Sequence, residues 1–175
     1  MVDKIHPNTR ARMSALALLY SSDITELDVE SIVEEGRYPE DDFELPEYAE
    51  ELVLGVSEHL DEIDDLLDRA SENWSLLRMP VVDRALLRLA VFEMIYVDDV
   101  PVSVTIDEAV ELAKDYGGED DSSRFVNGVL GRIASMIEDG TISKAVPAEK
   151  AESEADQPDE ADEPVQESSD DESQG

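Results

Sequence analysis

The residues able to do chemistry in this 175-residue chain are few, and their spacing argues against an active site. His59-x-x-Glu62 places two possible ligands on one helix face, but a zinc site takes three or four, so a solvent-facing histidine in an acidic helix accounts for it. His6 stands far from it in sequence. Gly117-Gly118 has neither the lysine nor the spacing of a phosphate-binding loop and reads as a helix stop. Asp98-Asp99 and Asp120-Asp121 lack the alternation of a twelve-residue calcium loop, and capping or turn roles explain both pairs. Cysteine is absent, which excludes thiolate catalysis and disulfides. The expectation is a protein that is not an enzyme and takes no metal or cofactor.

Binding to nucleic acid has a better basis. Arg10 and Arg12 near the start, Arg84 and Arg88 in the middle, and Lys114, Tyr116, Arg124 and Phe125 later are the right types. Cations neutralise phosphate, and exposed aromatic faces stack on unpaired bases. Spacing alone does not bring these residues together. Taken singly, each arginine is commonly a surface ion-pair partner, and Tyr116 and Phe125 are commonly core.

The elements that must position them are helical. Pro and Gly punctuate a series of segments with apolar residues at helical spacing, and no segment alternates as a strand does. A first helix is expected after an Asn8 or Thr9 cap, running to about Tyr20 with Arg10 and Arg12 in its first turn. Cations there oppose the helix dipole, which hints at a functional reason for them. A short helix ending at Gly36 follows, then a loop from Arg37 to Leu45. Pro46 opens a third helix, and the period continues to Trp74 as one bent helix or two. Pro80 opens a helix to about Val97, apolar on almost every side and therefore central. Thr105-x-x-Glu108 reads as a capping box for the next helix, which stops at Gly117-Gly118. The last helix is capped by Asp121, Ser122 or Ser123 and ends near Gly140. Within it, Asn127-Gly128 is ordinarily a hairpin signal. Phe125, Val126, Val129, Leu130, Ile133 and Ile137 nonetheless recur as one helix face. A glycine there costs about 1 kcal/mol relative to alanine, so close approach of another helix or a ligand at Gly128 is expected to compensate.

Charge divides the chain. The formal net charge is −33, from 46 acidic and 13 basic residues. Only the first twenty residues are net positive, so an anionic partner would be met there or where the later arginines gather. Beyond Gly140 the chain is rich in Ala, Glu, Asp, Ser, Gln and Pro and has no aromatic residue. Such a segment buries too little apolar area to offset its ordering entropy. The expected organisation is a helical domain over 1–140 and a disordered acidic tail over 141–175. No signal region or membrane-length apolar run is evident, and a cytoplasmic location is expected.

Several ordered motifs carry a resemblance. Arg10-Ala-Arg-Met-Ser-Ala-Leu-Ala-Leu-Leu-Tyr20, Asn73-Trp74 and Val82-Asp-Arg-Ala-Leu-Leu-Arg-Leu-Ala-Val-Phe-Glu93 come in sequence. Val100-Pro-Val-Ser-Val-Thr-Ile-Asp-Glu-Ala-Val-Glu-Leu-Ala-Lys114 and Phe125-Val-Asn-Gly-Val-Leu130 follow. Together they resemble the NusB family of transcription antitermination factors over most of the chain before the tail. The resemblance implies an all-α fold of about seven helices in two packed halves. It also implies binding, together with the ribosomal small-subunit protein NusE, to the boxA RNA of ribosomal RNA operon transcripts, so that RNA polymerase in the antitermination complex passes terminators. By the same resemblance RNA is met by Arg10, Arg12, Tyr20, Arg88, Lys114, Tyr116, Arg124 and Phe125, and NusE by Asp83 and Arg84.

Three departures stand out. His6-Pro-Asn-Thr9 occupies a stretch where family members often carry consecutive arginines. The turn from Gly117 to Ser123 is slightly longer, leaving either Asp120 or Asp121 as the matching acid. The acidic tail is an addition. Two alternatives follow: a module that binds only protein, or the RNA-binding domain of a ribosomal RNA methyltransferase type without its catalytic domain.

Overall fold

Helix formation follows the proline and glycine punctuation closely. The computed structural model describes residues 5–145 apart from Asn73, and among these it contains seven α-helices, one 3₁₀ turn and no strand. The helices are α1 (Pro7–Thr25), α2 (Val29–Glu35), α3 (Glu47–Glu58), α4 (Leu60–Ala70), α5 (Val81–Tyr96), α6 (Val102–Tyr116) and α7 (Ser122–Glu138). The 3₁₀ turn at Leu76–Arg78 leads into α5.

Several boundaries differ from the sequence expectation, each for a local reason. Helix α1 begins earlier because Pro7 occupies its first position, where a missing N–H is no loss. Its cap is His6, whose Nδ1 accepts from the Asn8 N–H at 3.3 Å, not Asn8 or Thr9. It also continues beyond Tyr20 to Thr25. The stretch from Pro46 to Ala70 is two helices, broken at His59. His59 is half-buried there, its ring stacked 4.0 Å from that of Tyr96, so the solvent-facing reading does not hold. Thr105 does not cap α6, which starts at Val102 after Pro101. One turn inside the helix its hydroxyl is buried and donates to Glu93, 2.7 Å away.

Helix α5 is the axis of the fold. Helices α1 and α3 pack on it and on each other, with α2 against them, while α4, α6 and α7 pack on it as a second group. Eleven of its sixteen residues are buried, which is why its sequence is apolar on nearly every side. Leu86, Leu87 and Met94 meet Leu18, Leu52, Leu67, Leu130 and Ile133 in one continuous core. Each such side chain contributes about 1.5–3 kcal/mol by leaving water.

The close approach expected at Gly128 occurs elsewhere. Gly128 lies on the exposed face of α7, and a Cβ there would meet nothing within 4 Å. The buried apolar residues beside it supply the helical period, and its own position is solvent. At Gly55 in α3, by contrast, a Cβ would overlap the Phe92 ring of α5. The two glycines therefore give opposite predictions. Gly128→Ala should stabilise by up to about 1 kcal/mol through helix propensity. Gly55→Ala gains the same propensity, yet overpacking of about 1–3 kcal/mol should leave it destabilised. Denaturant midpoints of the two variants check the sign in each case.

Past α7 the chain stays on the bundle as far as Ala145. The Ile142 N–H donates to Met136 O at 2.9 Å and the Ala145 N–H to Ile95 O at 3.0 Å. The remainder of the expected tail, from Val146 onward, lies outside the described residues.

Candidate nucleic-acid interface

Helix α1 presents Arg10, Met13, Ala17 and Tyr20 along one side, at the three- and four-residue spacing that aligns side chains on a helix face. This side forms a wall of a groove of about 560 Å³. Phe43 from the α2–α3 loop, Val82 from the start of α5 and Tyr116 from the end of α6 complete it. Tyr20 and Tyr116 are 42% and 47% exposed, which is unusual for tyrosines that a helix could have turned inward. Arg10 is exposed and has no ion-pair partner among the described residues. The groove therefore offers accessible aromatic faces beside one uncommitted positive charge.

Phe125 lies outside this groove, in an adjoining hollow of about 120 Å³ shared with Trp74, Met79, Pro80 and Asp83. It is half-buried, with the Trp74 ring edge-on at a centroid distance of 6.2 Å, and Trp74 is itself 50% exposed. Val82 of the groove and Asp83 of the hollow are successive residues of α5. Lys114 and Arg124 are exposed and line neither depression. Lys114 pairs with Glu111 one helical turn away, while Arg124 is exposed without an ion-pair partner among the described residues.

Three of the arginines singled out from the sequence turn inward. Arg12 is 5% exposed, and its Nε contacts both oxygens of Glu93, at 2.9 and 3.2 Å. Its Nη1 also approaches Glu108 at 3.3 Å. Its place near the α1 start is explained by this ion pair, so no external anion is needed. Arg88 makes a two-pronged contact with Asp64, both bonds at 2.8 Å, and reaches Asp23 as well. Burial opposes the charge on Arg88, but the bonds and charges of Asp64 and Asp23 outweigh it and raise its pKa. Arg84 donates to Asp23 and to the Leu76 carbonyl. Asp83, expected at the partner surface, is only 2% exposed and accepts from within the fold.

Glu93 is the hub of the interior network. Besides Arg12 it accepts from Thr105 and from Tyr48 on α3, so one carboxylate ties α1, α3, α5 and α6 together. Burial, reinforced by the Glu93 hydrogen bond and charge, pushes the Tyr48 hydroxyl far above its ordinary pKa, so it remains a donor.

Sequence reasoning missed Phe43. It is one of two aromatic residues in the 37–45 loop, its ring 5.3 Å from that of Tyr38 between centroids, a contact the sequence does not signal.

The helical double bundle gathers aromatic side chains beside an arginine with no ion-pair partner among the described residues, and comparison with known proteins identifies its class. Residues 9–135 match the model of the NusB family. The transcription antitermination protein NusB of Thermoanaerobacter sp. (strain X514) is 45% identical over 123 residues, covering 70% of this chain and 86% of its own. A solved structure of T. maritima NusB superimposes with a TM-score of 0.65 at 40% identity, covering 84% of this chain and 98% of that one. A crystal structure of antitermination factors NusB and NusE in complex with double-stranded RNA matches at 32% identity and a TM-score of 0.57, covering 74% and 98%.

The chain belongs to the NusB family. It is a transcription antitermination factor and not an enzyme. Among the described residues no helix is long and apolar enough to cross a membrane.

Proposed function

We propose that this chain acts in the cytoplasm as an adaptor that binds boxA RNA of ribosomal RNA operon transcripts jointly with NusE, within the RNA polymerase antitermination complex. The observation that carries this reading is the convergence on one groove of Tyr20, Tyr116 and Arg10, which has no ion-pair partner among the described residues. Exposed rings suit bases that are out of a helix, which is how sequence-specific RNA recognition usually works. The related NusB–NusE complex with RNA supports both partners. Arg10, Tyr20 and Tyr116 are the central contacts, with Phe125, Lys114 and Arg124 at the margin. Arg12 and Arg88 serve by holding α1 and α4 against α5. NusE docks near the α5 start, where Arg84 bonds the Leu76 carbonyl next to the 87%-exposed Leu77.

Few cations face RNA, and the whole chain is strongly anionic, so the partner must supply much of the attraction. With roughly three phosphate contacts, the single-stranded salt slope should be only about −2. The chain alone should bind a boxA oligonucleotide weakly, and the NusE complex much more tightly at the same salt. Equal affinity with and without NusE would remove the partner dependence. Failure of the NusE complex to bind RNA at all would leave a protein-only module.

A further inference from the structure

Helix α6 ends at Tyr116 in the groove, and α7 begins at Ser122, three residues before Phe125 in the adjoining hollow. Besides the packing of α6 on α7, the turn between them sets the position of one ring relative to the other. That turn is fastened to the start of α5 by one carboxylate. Asp83 Oδ1 accepts from the Gly118 N–H at 3.0 Å, and Oδ2 accepts from the Ser122 hydroxyl at 2.7 Å. Ser122 Oγ in turn accepts from the Glu119 N–H at 3.0 Å, so one chain of hydrogen bonds spans the turn. Gly117 and Gly118 permit the approach, since a Cβ on either would collide, the first with Ser122 and the second with Pro80. At 2% exposure Asp83 has no face left for a partner protein.

We propose that Asp83 is a positioning residue for RNA, latching the α6–α7 turn so that Tyr116 and Phe125 present their rings together, and is not a contact for NusE. This rests on the RNA-binding reading above. The helices α6 and α7 pack along each other, so releasing the latch loosens the turn and leaves the bundle folded. The residue would then tune RNA affinity from inside the protein.

The experiment compares wild type, Asp83→Ala, Asp83→Asn and Ser122→Ala in the full chain. Affinities for NusE alone and for a labelled boxA oligonucleotide with NusE present are measured separately. Asp83→Ala and Ser122→Ala should each weaken RNA binding by about tenfold, within the range for a hydrogen bond to a charged group. NusE affinity should be unchanged in both. Asp83→Asn, which keeps an acceptor for Gly118, should lose less than Asp83→Ala. Amide exchange at Gly118 and Glu119 should quicken in Asp83→Ala while core amides stay protected. A parallel fall in NusE affinity would make Asp83 a partner contact and overturn the proposal. Lower melting temperature with unchanged RNA affinity in both alanine variants would reduce it to ordinary packing. A wild-type chain that binds no RNA even with NusE would instead defeat the underlying reading, and the latch with it.

Discussion

Replacing Glu93 by alanine is expected to destabilise the protein by about 3–5 kcal/mol, the usual result of removing one partner from a buried ion pair. The loss is large because every neighbour of this 1%-exposed carboxylate is a donor: the Arg12 guanidinium, the Tyr48 hydroxyl and the Thr105 hydroxyl. Without Glu93, Arg12 keeps the partly exposed Glu108 as its one ion-pair partner among the described residues. Since domain stability is typically about 5–15 kcal/mol, this single change consumes a substantial fraction of it. Thermal unfolding should shift down by roughly 10 °C or more. Glu93→Gln should also destabilise, because its amide brings donors to a site where donors already converge. Replacing the pair jointly, as Arg12→Met with Glu93→Leu, should recover much of the loss, since buried ion pairs are often no better than well-packed apolar side chains. A Glu93→Ala variant as stable as wild type would show that the network is not what holds α1 to α5.

The largest effect on binding is expected at the two groove tyrosines. Tyr20→Ala and Tyr116→Ala should each weaken boxA RNA binding by roughly 1–3 kcal/mol, the usual worth of one stacked base. Because both rings are nearly half exposed, stability should change by less than about 1 kcal/mol, far below the roughly 3–5 kcal/mol of a buried aromatic truncation. Phe125 makes the informative contrast. It is half-buried against Trp74, so Phe125→Ala should lose both stability and RNA affinity. Titration of a labelled oligonucleotide in the presence of NusE, alongside denaturant melts, separates the two losses. A folded Tyr20→Ala, Tyr116→Ala double variant that binds at full strength would take the groove out of the site.

Much of this protein was legible from residue order. The proline and glycine breaks and the central position of α5 are local properties, dictated by backbone chemistry and by the period of apolar residues, whereas the break at His59 between α3 and α4 was not fixed by them. The family motifs are likewise linear. Tyr116 was a candidate by residue type and Tyr20 only through that resemblance, because periodicity gives no reason for a tyrosine to stay out of a core.

Tertiary structure alone decided which cations face outward. Arg10 and Arg12 are two residues apart on a helix with 3.6 residues per turn, so they point to well-separated faces. One lines the groove with no ion-pair partner among the described residues, while the other is buried on Glu93, which lies 81 positions away in sequence. Arg84 and Arg88 share a face, and that face is occupied by Asp23 from α1 and Asp64 from α4. Asp83 and Ser122 meet across 39 positions for the same reason. An ionic side chain takes whichever partner the packing brings within reach, and no spacing along the chain encodes an acid delivered by another helix.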